Sequence, residues 1–183
     1  MKATVEQSIE LFNVNKPISD KNWEIISPTI IKALEATNVI DMDDLVSPED
    51  IDADRNCGID KTMEINGKQV TMALRIQPSN VDWRTFSIRK STVSGLPTEF
   101  YKRRKAIKSG DESKYPKITA QVYIVNNQIS YAIIRTKDLY DFIEQNPELI
   151  QTRTNRQDGN KFVVVYWADL IHQGFKFVTN MDY

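Results

Sequence analysis

The sequence predicts an α+β fold, and three observations predict it. Apolar residues fall at helical spacing through the first sixty positions. After Gly58 the pattern switches to period two. Strand and helix signals then alternate to the C-terminus without the strict βαβ rhythm of a doubly wound sheet. The expected order is a helical N-terminal segment, a three-strand meander, a helix, a strand pair, a helix and a strand. A single domain, 1–183, is expected, with a helical acidic segment at 1–55 and a mixed sheet core at 56–183.

Val5, Ile9 and Phe12 are spaced as one helical stripe, and Ile26, Ile30, Ile31 and Leu34 as another. Pro28 after Ser27 suits the first turn of a fresh helix. Ser47-Pro48-Glu49-Asp50 reads as a second helix start. From Cys57, the residues Ile59, Lys61, Met63 and Ile65 share one face of a strand. Asn66-Gly67 is a tight hairpin signal, because a primed turn needs positive φ at both positions. Val70 to Gln77 is the partner strand, and Trp83 to Arg89 a third. Thr98 to Lys108 reads as a helix, Ile118 to Val125 and Ile129 to Arg135 as a hairpin about Asn126-Asn127. Lys137 to Gln145 is the next helix, 151–160 a polar loop, and Phe162 to Trp167 a buried strand.

Charge is sorted along the chain. Residues 1–60 hold five Lys or Arg against thirteen Asp or Glu; residues 61–137 hold fifteen against five; the remainder holds four against seven. The whole carries a formal charge of −1. A basic block in a nearly neutral protein points to an anionic partner, most often a nucleic-acid backbone. Its candidates are Arg84, Arg89 and Lys90 near the third strand, and Lys102, Arg103, Arg104, Lys105 and Lys108 on the following helix. Such a patch binds phosphates in a salt-dependent, sequence-independent way. One histidine, His172, excludes sites needing two, and the lone Cys57 excludes an internal disulfide. With no apolar run of spanning length and no secretory leader, a cytoplasmic location without membrane contact is expected.

Helix, three-strand meander, helix and strand is the core order of the PD-(D/E)xK nuclease-like superfamily, which the chain resembles over roughly residues 27–135. Gly58-Ile59-Asp60 is similar to that family's glycine-hydrophobic-aspartate metal ligand. Ala73-Leu74-Arg75-Ile76-Gln77 stands where its (D/E)xK is placed, and Glu35 matches the acid its members carry on the preceding helix. The resemblance implies a catalytic set of Glu35, Asp60 and Gln77, with Asp60 holding Mg²⁺ in an active nuclease. Two carboxylates on a hard cation activate water and shield the scissile phosphate. Ala73, Arg75 and Gln77 are neither carboxylate nor lysine, so the sequence favours binding of DNA or RNA, without a cofactor, over cutting. The acidic first part, the size and the stripped motif also resemble the functional class of phage-encoded CRISPR inhibitors. That resemblance implies a Cas9-type protein–guide RNA complex as partner.

Overall fold

The structure, a computed structural model, describes residues 5–42, 57–92, 98–155 and 158–181, with side chains from Lys16 onward. In chain order the elements are α1 (Val5–Leu34), β1 (Ala36–Asp41), β2 (Lys61–Ile65), β3 (Lys68–Pro78), β4 (Thr85–Ser91) and α2 (Glu99–Ser109). They continue with β5 (Ile118–Val125), β6 (Gln128–Arg135), α3 (Thr136–Gln145), β7 (Gln151–Thr154), β8 (Lys161–Tyr166), α4 (Trp167–His172) and β9 (Val178–Thr179). The architecture is α+β. A six-stranded sheet has the order β1-β2-β3-β5-β6-β9, and a three-stranded sheet the order β4-β8-β7. Every neighbouring pair is antiparallel except β3 and β5.

The first sixty residues are not uniformly helical. Ala36–Asp41 is a strand, paired with β2 from Ala36↔Ile65 to Asp41↔Lys61. The meander is therefore β1, β2 and β3, and the strand expected third is β4 of the smaller sheet. Pro28 does not restart the helix: α1 runs through Pro17 and Pro28. Both prolines are exposed, and eleven residues is close to three turns, so they share the solvent face. The carbonyl of Glu24, which a proline at position 28 leaves without its amide donor, accepts a long hydrogen bond from the Ser27 hydroxyl (3.5 Å). The expected helix start at Ser47-Pro48 lies outside the described residues. Asn66 and Gly67 do form the β2–β3 turn, at φ 51° and 70°. The expected loop at 151–160 begins instead with β7, whose four residues are all exposed at a sheet edge.

Alternation on the central strands separates two apolar clusters. Met72, Ala120 and Val122 pack with Ile26 and Ile30 of α1 on one face of the large sheet. Tyr123, Ala132 and Ile134 belong to the cluster on the other side, with Phe86, Val163, Val165 and Trp167. The unpaired edge of β4 faces that second side. Tyr123 Oη donates to Thr85 O (3.1 Å), and Gln121 Oε1 accepts from the Ser87 amide (3.3 Å). Side chains of one sheet thus satisfy the edge of the other, which blocks further strand addition there. No described helix is long and apolar enough to cross a membrane.

Lys61 is the one lysine buried in this frame among the described residues. It pairs with Asp41 and lies 4.8 Å from the Trp23 ring. Burial lowers its ammonium from 10.5 to about 8, Lys16 adds to the fall, and Asp20 opposes it. Between those two values the unfolded chain binds more protons than the folded one, so Lys61 makes stability rise with pH across that window. We expect its side-chain carbon resonances to titrate with a midpoint near 8 in a pH series. A midpoint above 10, the range of an ordinary lysine, contradicts this burial.

Candidate functional site

Period-two alternation on β3 turns Met72, Leu74 and Ile76 toward α1, and leaves Ala73, Arg75 and Gln77 facing the smaller sheet. The parallel register sets Ala73 beside Thr119, Arg75 beside Gln121 and Gln77 beside Tyr123. Three cavities border this row. The first, about 230 Å³, lies between β3 and β5 on one side and β4 and α2 on the other; its polar walls are Asp60, Arg75, Arg89, Glu99, Arg103 and Gln121. A second, about 420 Å³, lies under α1, with Trp23, Asp60, Lys61, Arg75 and Gln77 among its walls. The third, about 530 Å³, is bordered by Arg75, Gln77, Trp83, Tyr123 and Arg153. Arg75 borders all three: the first and third lie between the sheets, on the face its side chain takes, and the second lies under α1.

Arg75 is held by packing. Its guanidinium lies 4.5 Å over the Phe162 ring, a cation–π contact that fixes the plane of the fork. Burial lowers its pKa, and Arg89 acts in the same direction against Glu99. A guanidinium stays charged even so, which makes it a desolvated cation. On the third cavity's rim Arg153 stands 5.4 Å from the Trp83 ring and 5.7 Å from that of Tyr166, and donates to the Tyr166 hydroxyl. Trp83 is 44% exposed, so this aromatic pair and its cation form an accessible platform.

The structure redistributes the residues expected to carry chemistry. Asp60 precedes β2; its amide donates to Met72 O (2.9 Å) and its Oδ2 accepts from the Leu74 amide (2.6 Å). It borders the first two cavities, and Gln77 borders the second and third. Glu35 is not on a helix. It is an exposed left-handed turn residue, φ 50°, between α1 and β1. The β1–β2 register puts it at the far end of the strands from Asp60, roughly 16 Å away at the rise of a strand. One ion cannot bridge the two. Among the described residues no three His, Cys, Asp or Glu side chains are placed to hold a metal.

The basic block is likewise divided. Arg103, expected on the surface, is 5% exposed: its Nη2 donates to Gly58 O (2.9 Å) because this face of α2 packs inward. Arg104 and Lys108 both reach Glu144 of α3, at 2.8 and 3.3 Å. The Arg104 guanidinium holds that carboxyl below its ordinary value. Arg84 precedes β4 at φ 48° and pairs with Asp82 (3.4 Å). Lys90 donates to Thr152 (3.3 Å), and Lys102 and Lys105 stay exposed. Arg89 lines the first cavity, with Glu99 3.7 Å away. Trp83, an aromatic interleaved in the basic block, joins the site, as do Glu99, Gln121 and Arg153 from positions that local motifs do not mark. For Gln121 the signal available was a glutamine inside the largely apolar run Ile118 to Val125.

Gly58 makes the approach of Arg103 possible. Its φ is +64°, and a Cβ there would stand 2.6 Å from Arg103 Nη2. Gly58→Ala is expected to cost about 1–2 kcal/mol in denaturant unfolding, because both the backbone and the guanidinium must move. An unchanged midpoint contradicts the packing described.

Comparison with known protein families, curated proteins and solved structures yields no match to this chain.

Proposed function

We propose that this chain is a nuclease-like nucleic-acid-binding protein that holds a single strand in the cleft between its two sheets. One observation carries the reading: Arg75, desolvated by burial, borders both cavities between the sheets, with Arg89 and Arg103 lining the first and the Trp83–Arg153–Tyr166 platform at the rim of the third. Guanidiniums suit phosphate oxygens, and exposed rings suit unpaired bases, which a duplex does not offer. The element order adds support. α1, the β1–β2–β3 meander, α2 and β5 occur in the order that the PD-(D/E)xK resemblance implies, with β4 of the smaller sheet inserted before α2. The proposed interface is the cleft, since two of the helix cations are paired with Glu144.

The test is fluorescence anisotropy with a labelled single-stranded oligonucleotide across a salt series. Three to four phosphate contacts give a slope of log K against log salt of about −2 to −3. Duplex of the same sequence should bind more weakly. No binding at low salt removes the reading. Adding Mg²⁺ to the same mixture reads cutting directly: a product that disappears with Asp60→Asn makes the chain an enzyme, and an intact strand leaves it a binder.

A further inference from the structure

Three residues that line the first cavity each carry a buried donor with no protein hydrogen-bond partner: Arg89 Nε, Arg103 Nε and Gln121 Nε2. Only five such side-chain atoms occur among the described residues, so most of them gather at one 230 Å³ space. Buried polar groups are nearly always paired, and a cluster of exceptions at one cavity calls for an explanation. Arg103 is 5% exposed and Gln121 1%, so both are held inside the fold rather than on its surface.

Their orientations are set from behind. Gln121 Oε1 accepts from the Ser87 amide at 3.3 Å, which fixes which end of the side-chain amide is the donor. Arg103 Nη2 is held by Gly58 O at 2.9 Å. Arg89 Nη2 lies 3.7 Å from Glu99 Oε1, which leaves Nε over. Arg75, Arg89 and Arg103 outnumber the two acids of the walls, Asp60 and Glu99, and one oxygen of Asp60 is taken by the Leu74 amide. The adjacent Tyr140 phenol is kept neutral by burial, against the opposing pull of the Arg103 guanidinium beside it, so Arg103 also has a neutral neighbour within the fold.

We propose that this cavity is a subsite for a phosphate group with three free oxygens, received by Arg89, Arg103 and Gln121. One donor comes from each of three elements, β4, α2 and β5, which matches three phosphate oxygens better than the planar pair of a carboxylate. The group is either free phosphate or the terminal phosphate of a strand. The inference rests on the cleft being a ligand site, not on the ligand being a strand.

Calorimetric titration of the full chain with sodium phosphate, at constant ionic strength, tests the free anion; sodium acetate is the control. Anisotropy with an oligonucleotide bearing a 5′-phosphate or a 5′-hydroxyl tests the strand. Gln121→Glu keeps an oxygen for the Ser87 amide and places a carboxylate among the arginines. It should raise the melting temperature and weaken phosphate, or the 5′-phosphate preference, at least tenfold. Arg103→Lys, which keeps the charge and loses Nε, should weaken the same signal. Saturable binding in either arm that both variants diminish upholds the subsite; the responding arm names the source. Absence of binding in both arms, equal binding of acetate, or unchanged binding in Gln121→Glu overturns it. Phosphate binding without oligonucleotide binding would sink the strand reading and leave the subsite standing.

Discussion

Trp167→Ala is expected to lower stability by about 3–5 kcal/mol, the range for removing a large buried aromatic and leaving a cavity. Trp167 is fully buried at the start of α4. Its ring lies 6.1 Å from Phe86 of the small sheet and 5.9 Å from Tyr123 of the large one, so it joins the two sheets. Its backbone amide also donates to Arg84 O (2.9 Å), tying α4 to the entry of β4. At roughly 2–4 °C per kcal/mol for a chain of this size, the melting temperature should fall by about 6–20 °C. Trp167→Phe should cost much less, because it keeps a ring and removes the indole Nε1 donor, which is buried without a partner. A small loss for the alanine variant in a thermal melt would mean that the sheets do not share this core.

Arg75→Met is expected to weaken single-strand binding by about 30-fold, near 2 kcal/mol, the loss of a charge-assisted hydrogen bond in a desolvated site. Methionine retains the apolar contact with Phe162, so the fold should hold. Lys105→Met, on the exposed face of α2, should change affinity by less than about threefold, since an exposed charge contributes mainly through screened attraction. Equal losses in the two variants, measured by anisotropy at one salt concentration, would move the interface from the cleft to the helix.

Much of the fold was legible because it is decided locally. Asn66-Gly67 and Asn126-Asn127 adopt the positive φ that tight hairpins require, and their flanking strands follow. What stayed hidden depends on partners distant in sequence. β1 is a strand because β2 pairs with it across 42–60, and β7 is one because β8 does. Both are largely exposed, so they lack the apolar alternation that marks a half-buried strand. The sorted charge misled in the same way. Glu144 lies outside the basic block in sequence, yet it sits against Arg104 and Lys108 once α3 packs beside α2. The row Ala73, Arg75 and Gln77 was legible as a shared face. That Arg75 is its working member, with Gln121 beside it, follows from the parallel β3–β5 register, which no local pattern encodes.

The most direct test of the cleft is photo-crosslinking of a single-stranded oligonucleotide carrying a halogenated uracil, with the attached residue mapped by mass spectrometry. Trp83, 44% exposed, borders the third cavity, and Tyr101, 42% exposed, stands on α2. Both are accessible aromatics, so accessibility alone does not choose between them. Attachment at Trp83 or Tyr166 is the result expected of a strand lying in the cleft. Attachment at Tyr101 alone would contradict it.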